Sequence, residues 1–311
     1  MHKIDVIIPT YKPDQSFFEL IDKLCRQTME VHEIIVMNTE EKYFDKLMYE
    51  SRIALKFKDK VKVCHLSKLE FDHGGTRHKG VQKSEADVVV MMTQDAMPAD
   101  EYLIENLVKA LEDEKIAAVY ARQLPAKDCS ELEQIVRNFN YPPQSHVRTR
   151  EDIPEKGIKT FFCSNVCAAY KRKVYNELGG FIRRTIFNED MIYAAGAVKA
   201  GYGIAYAADA QVYHSHNYTN MQQFHRNFDL GVSQADHPGI FAKVPSVSEG
   251  KKLVKTVTGE LRQNKKYKTL FGFYVQCAFK YAGYFLGKHY QRLPRKLVLK
   301  CSMSPSYWKK V

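Results

Sequence analysis

The sequence predicts an α/β fold, a parallel and doubly wound sheet flanked by helices. Three observations carry that prediction. Val88–Met92 (VVVMM) is a continuous apolar run, rich in β-branched residues and too short for an ordinary helix. It reads as a strand buried on both faces. Short apolar strands alternate with amphipathic helices through the first third of the chain, which implies right-handed crossovers. Thr10, Asn38 and Asp95 stand where three of those strands stop, at the sheet edge where open α/β folds hold ligands.

Lys3–Ile8 (KIDVII) is the first strand, broken at Pro9-Thr10-Tyr11-Lys12-Pro13. Gln15–Gln27 follows as an amphipathic helix, Glu33–Met37 as a second strand, Tyr43–Leu55 as a helix and Val61–Leu66 as a third strand. In Phe71–Gly80 (FDHGGTRHKG) the glycine pair lets backbone approach a ligand closely. Thr76, Arg77, His78 and Lys79 then open a helix whose start suits a diphosphate. A solvated turn with basic residues is the other reading. The Walker and dinucleotide spacings are both absent. Asp95, after the central strand, reads as a ligand-binding acid or as a turn-capping one. Pro98 and Asp100 start a helix over Glu101–Leu111.

Ala117–Gln123 is a further strand. Residues 124–159 read as irregular, a length that usually marks a functional loop. Phe161–Tyr170 is strand-like, and Lys171–Leu178 is a helix closed by Gly179-Gly180. Asn188 is a good N-cap, with Glu189 and Asp190 in the first turn that follows. Acids there either complement the helix dipole or project one carboxylate as a base. Ile204–Tyr213 is a strand leading to His214 and His216, alternate residues that share a face. Two imidazoles beside a carboxylate would make a metal site, and two surface histidines are the alternative. Gln222–Leu230 is a short helix carrying Gln223 and Arg226.

Composition is that of an ordinary globular chain, 45% apolar and 27% charged. Residues 1–10 already read as a strand and turn rather than a secretory signal. Seven cysteines without a CxxC pair argue against a disulfide framework or zinc ribbon and suggest a reducing cytosol. Cys163 and Cys167 read as buried thiols. The net charge of +11 is uneven: residues 251–311 hold 15 Lys and Arg against Glu260 alone. Within them Leu270–Gly287 is aromatic-rich, and Phe271, Tyr274, Ala278, Ala282 and Phe285 fall on one helical face. That segment either lies on an anionic membrane surface or packs on the main domain. A nucleic-acid module is disfavoured, because the positive charge lies outside the expected crevice and no recognition motif is present.

Five pieces in order complete the reading: VIIPTYKP, FDHGGTRHKG, MMTQDAMP, LGGFIRRTIFNEDM, and HSHNY with QQFHR. Together they resemble glycosyltransferase family 2, nearest to bacterial rhamnosyltransferases of polysaccharide assembly. The resemblance implies a GT-A fold, Rossmann-like, with a catalytic domain over residues 1–240. Its nucleotide half would cover about 1–100 and its acceptor half about 101–240, with 241–311 a basic helical extension. It implies an inverting, metal-dependent hexosyltransferase. Asp190 would be the base, and Asp95 with His214 would hold Mg²⁺ or Mn²⁺. Pro9, Thr10, Tyr11, Asn38, Arg77, Gln94 and Asp95 would bind the nucleotide sugar, and Glu189, Gln223 and Arg226 the diphosphate or acceptor.

Three departures from the family pattern stand out, the first two bearing on the donor. The family's DxD signature appears as Thr93-Gln94-Asp95, its acidic pair after the second strand as Asn38-Thr39, and Asn227 replaces the Trp of QxxRW. The rhamnosyltransferase-like branch tolerates the first two, which favours L-rhamnose from dTDP-rhamnose over a UDP-hexose. A non-catalytic sugar-nucleotide-binding subunit is the remaining alternative. The implied acceptor is a cell-surface glycan or lipid-linked saccharide. The implied location is the cytoplasm, peripheral to the inner face of the plasma membrane through residues 270–300.

Overall fold

The computed structural model describes residues 2–50, 59–242 and 247–310. Nine strands form one sheet: β1 (Ile4–Tyr11), β2 (Glu33–Thr39), β3 (Val61–Leu66), β4 (Val88–Met92), β5 (Met97–Pro98), β6 (Ile116–Leu124), β7 (His146–Arg148), β8 (Cys167–Lys171) and β9 (Gly203–Tyr213). Their order is β3-β2-β1-β4-β8-β6-β9-β5, with β7 also on β9. The helices are α1 (Ser16–Cys25), α2 (Glu41–Glu50), α3 (His73–Lys83), α4 (Leu103–Ala110), α5 (Glu131–Asn140), α6 (Ile153–Lys156) and α7 (Arg172–Glu177). Then come α8 (Glu189–Lys199), α9 (Asn220–Asp236), α10 (Pro238–Phe241), α11 (Val247–Gln263), α12 (Tyr267–Lys288) and α13 (Arg295–Cys301).

Helices flank both faces of the sheet as expected, and its first four strands are parallel, but the sheet as a whole is mixed. β1, β2, β3 and β4 run parallel, as do β6 and β9. β8 enters between β4 and β6 antiparallel to both. All five residues of β4 are buried. A strand buried on both faces carries no alternation, so its sequence does not encode the direction of its neighbour. Two cores flank the sheet. One packs Phe17, Leu20, Leu24, Leu103, Ile104 and Leu107 of α1 and α4 against one face. The other packs Val81, Tyr175, Tyr193, Ala194 and Val198 of α3, α7 and α8 against the opposite face.

Several expected elements change. Pro98 pairs in β5 with Val212 and starts no helix; α4 begins at Leu103. Residues 51–55 of the helix expected over Tyr43–Leu55 lie outside the described residues. The expected irregular stretch 124–159 contains α5, capped by Ser130, whose hydroxyl accepts from the Glu133 N–H at 3.3 Å. The strand expected from Phe161 begins only at Cys167. The short helix around Gln222 is the 17-residue α9, opened by a Thr219–Gln222 capping box.

The carboxyl-terminal helix α12 has two different faces. Leu270 and Phe273 are buried against Ile135 of α5 and Val257 and Leu261 of α11. Each such burial stabilises by about 1.5–3 kcal/mol. Gly283 and Gly287 press on α9 so closely that an added Cβ would meet the carbonyl oxygens of Phe224 and Phe228 at 2.2 and 2.1 Å. Tyr267, Phe271, Tyr274, Tyr281 and Phe285 are exposed on the other side. Among the described residues no helix is long and apolar enough to cross a membrane.

Candidate active site

A cleft of about 460 Å³ opens at the carboxyl ends of β4, β6 and β9. Asp95 reaches it just beyond β4, and His214 and His216 just beyond β9. His214 Nε2 lies 3.6 Å and His216 Nε2 3.4 Å from Asp95 Oδ2. The three side chains offer ligand atoms within 4.8 Å of one another. Desolvation within the cleft alone would raise Asp95. The facing His214 imidazole, with Thr93 and His216 beside it, outweighs that and holds the carboxyl well below the usual carboxylate range. Burial lowers His216 to about 4, leaving its ring neutral and its nitrogens able to donate a lone pair. One carboxylate and two imidazoles, close together and half-open to the cleft, fit a divalent cation of the Mn²⁺ or Mg²⁺ type.

The opposite wall is the start of α8. Asn188 does not cap it. Its backbone is left-handed (φ 65°), and its Nδ2 donates instead to Ser233 Oγ on α9 at 3.2 Å. Glu189 and Asp190 both line the cleft, with opposite electrostatics. Glu189 accepts from Arg77 Nη1 at 3.1 Å and from Asn165 Nδ2 at 3.0 Å, so it stays ionised despite its burial. Among the described residues Asp190 accepts from two backbone N–H groups, those of Asn165 and Met191. Burial and the neighbouring Glu189 charge push it up to about 7. The helix N-terminus, which alone would lower it, loses to these two effects.

The FDHGGTRHKG stretch serves this wall from beneath. Asp72 caps α3, and its Oδ1 accepts from the N–H groups of Gly74 and Gly75 at 3.0 and 2.8 Å. Those N–H groups are therefore committed and do not face a diphosphate. The glycines are needed for contact with the chain before α8: a Cβ on Gly74 or Gly75 would meet the carbonyl oxygens of Ile182 or Arg183 at 2.0 or 2.5 Å. Arg77, expected at the nucleotide, lines the cleft with its charge engaged by Glu189. Arg226 is the cation left over. It lies 4.6 Å from the Phe187 ring centroid and 6.0 Å from that of Tyr218, and has no carboxylate partner among the described residues. Gln223 lines the cleft beside it.

The remaining expected donor-binding residues gather on an adjoining edge, outside the cleft lining. Pro9, Thr10 and Tyr11 end β1, and the Thr10 hydroxyl donates to Asn38 Oδ1 at 3.1 Å. Asn38 in turn contacts His65 at 3.0 Å. Gln94 accepts from the Tyr11 N–H at 2.8 Å and donates to its carbonyl at 3.2 Å, joining the two strand ends. Sequence reasoning missed a third wall, made by Gln123, Glu133, Arg137, Asn140 and Tyr141. The Ser130-x-x-Glu133 spacing, a helix-start signature, was the available signal. His73, half-buried between Phe71 and Phe187 and lowered to about 4 by desolvation, was also missed.

The model of the glycosyl transferase family 2 matches residues 5–179. The chain is 40% identical over 311 residues to the O-antigen chain rhamnosyltransferase RfbN of Salmonella typhimurium, covering 99% of this chain and 97% of that protein. It is 37% identical over 314 residues to the O-antigen chain rhamnosyltransferase WbaN of Salmonella anatum, covering all of this chain and 97% of that one. Among solved structures, the mannosyltransferase PcManGT of Pyrobaculum calidifontis, in complex with GDP-Man and Mn²⁺, superposes with a TM-score of 0.63 at 16% identity. That match covers 92% of this chain and 87% of the other. S. aureus TarS residues 1–349 give 0.51 at 14% identity, over 93% and 91% of the two chains. The fold is thus GT-A, the enzyme is a glycosyltransferase, and the chain belongs to glycosyl transferase family 2.

Proposed function

We propose that the cleft transfers L-rhamnose from dTDP-rhamnose to a hydroxyl of a growing cell-surface polysaccharide, with inversion at the anomeric carbon. The observation that carries the reading is a proton-accepting carboxylate, Asp190, and a cation-binding trio, Asp95 with His214 and His216, lining one cleft. The full-length likeness to two O-antigen chain rhamnosyltransferases supports the sugar and the acceptor class.

Asp190 takes the proton of the acceptor hydroxyl as that oxygen bonds to the anomeric carbon. The bond from that carbon to the diphosphate oxygen breaks, and the departing diphosphate gains charge. Arg226, with no carboxylate partner among the described residues, stands ready to receive that charge. A Mg²⁺ or Mn²⁺ ion held by Asp95, His214 and His216 would neutralise more of it. Glu189 keeps Arg77 engaged and raises Asp190, which improves the base. Thr10, Tyr11, Asn38 and Gln94 form the edge next to Asp95 where a nucleoside would lie. The aromatic outer face of α12 and its basic flanks suit peripheral contact with an anionic membrane that carries a lipid-linked acceptor. Loss of vesicle binding on Phe271→Ser with Tyr281→Ser would support that contact, and unchanged binding would remove it.

The donor is tested by thermal shift with dTDP and UDP, each with and without Mn²⁺. Binding at a hundredfold excess over Kd stabilises by about 2.7 kcal/mol, a clear rise in melting temperature. The proposal expects a Mn²⁺-dependent rise with dTDP that Asp95→Ala abolishes. A preference for UDP would overturn the rhamnose donor.

A further inference from the structure

Gln123, next to last in β6, lines the cleft and is only 2% exposed. Every polar atom of its amide is engaged. Nε2 donates to the Tyr141 hydroxyl at 2.6 Å and to Ser164 Oγ at 2.9 Å. Oε1 accepts from Arg137 Nη1 and lies 2.9 Å from His214 Nδ1. Arg137 is itself tied to Glu133, one turn earlier on α5, and both side chains are largely buried.

The orientation of this amide follows from its neighbours. A guanidinium has donors and no acceptor, so the amide atom facing Arg137 must be the oxygen. The same oxygen faces His214 Nδ1, so that nitrogen must carry a hydrogen. A neutral imidazole has one N–H, which leaves the lone pair on Nε2. His214 Nε2 is the nitrogen beside Asp95. Tyr141 and Ser164 are hydroxyls, able to accept on the far side of the amide.

We propose that Gln123, oriented by the Glu133–Arg137 pair, is the positioning residue that fixes His214 in its Nδ1–H tautomer and keeps Nε2 for a divalent cation. This rests on the metal reading given above and deepens it. It also gives α5 a function: the helix sets which way the Gln123 amide points, and through it the donor atom of a ligand just beyond β9.

The test is a titration of the full chain with Mn²⁺ alone, followed by the loss of free-ion EPR signal, with circular dichroism as the check on folding. Gln123→Leu removes the acceptor and should weaken Mn²⁺ binding about 10–100-fold, the usual cost of losing a group that orients a metal-bound histidine. Arg137→Met frees the amide to turn over and should weaken binding about tenfold, the low end of that range. Gln123→Glu in the Arg137→Met background should restore affinity to within a few-fold of wild type. A carboxylate has an acceptor on both sides and no orientation to lose, and both hydroxyls can donate to it instead. A merely structural role for Arg137 predicts the reverse, since the double variant buries an acid without its cation.

Wild-type affinity in both Gln123→Leu and Arg137→Met would overturn the proposal, as would a folded double variant that is not rescued. If the double variant does not fold, Gln123→Glu alone decides: binding as tight as wild type supports the relay, and weaker binding refutes it. A wild-type chain that binds no Mn²⁺ refutes the metal reading itself, and this proposal with it. That failure is distinct from wild-type binding that ignores Gln123.

Discussion

Asp95 and Asp190 line the same cleft, Asp95 exposed at its mouth and Asp190 half-buried, and their neighbours drive them in opposite directions. Asp95 faces two imidazoles and the Thr93 hydroxyl, which favour its charge. Asp190 faces Glu189, which opposes it, and has only backbone donors in return. Loss of water around each carboxyl raises both, so the sign of the neighbour decides which acid binds a cation and which accepts a proton. The stability consequences are opposite as well. Asp95 adds stability at neutral pH that is lost as pH falls below the ordinary carboxylate range. Asp190 is favoured protonated, so its contribution is present at low pH and lost as pH rises towards 7.

The largest effect expected is on turnover. Asp190→Asn should lower kcat by about 10²–10⁴-fold under saturating donor, the contribution of a general base. Loss of less than about tenfold would remove Asp190 from that role. Next is Glu189→Gln, which leaves Arg77 as an unpaired buried cation. It should destabilise the fold by about 3–5 kcal/mol in denaturant melts. It should also move the acidic limb of the kcat–pH profile to lower pH, because the charge opposing Asp190 is gone. A limb that stays in place would show that burial alone sets Asp190.

Asp95→Ala should abolish the Mn²⁺-dependent part of the dTDP thermal shift, up to about 2.7 kcal/mol at a hundredfold ligand excess. A shift that keeps its Mn²⁺ dependence would place the cation elsewhere. The smallest effect is a gain. Asp190→Asn should stabilise the fold by about 1–2 kcal/mol at pH 8, where wild type must ionise a carboxyl that prefers its proton, and by less at pH 5. Equal melting at both values would contradict the raised Asp190.

The sequence shows some of this plainly and hides the rest for physical reasons. β1 to β4 and the polar residues at their ends, Thr10, Asn38 and Asp95, are legible because buried strands are short and apolar. The direction of β8 is not, since Cys167–Tyr170 are buried on both faces and carry no alternation. The pairing of His214 with His216 follows from strand periodicity, whereas their meeting with Asp95, far off in the chain, depends on β9 reaching the sheet beside β6. Gly74 and Gly75 are conspicuous in the sequence, but their reason is a close approach to residues 182 and 183 that no local pattern reveals. α5 is hidden by its charges: Glu133 and Arg137 read as solvated loop residues and instead form a buried pair beside the cleft. Likewise Asn188 has the composition of an N-cap while its left-handed backbone turns the side chain to Ser233.

The central claim, that Asp190 is a raised carboxyl acting as the base, is tested most directly by kcat against pH from 5 to 9 in wild type and Asp190→Asn. The account predicts a wild-type rate that falls below a midpoint near pH 7, where Asp190 gains its proton. It predicts that the residual rate of the variant lacks that limb. A wild-type rate flat from pH 5 to 8, or the same limb in the variant, would contradict it.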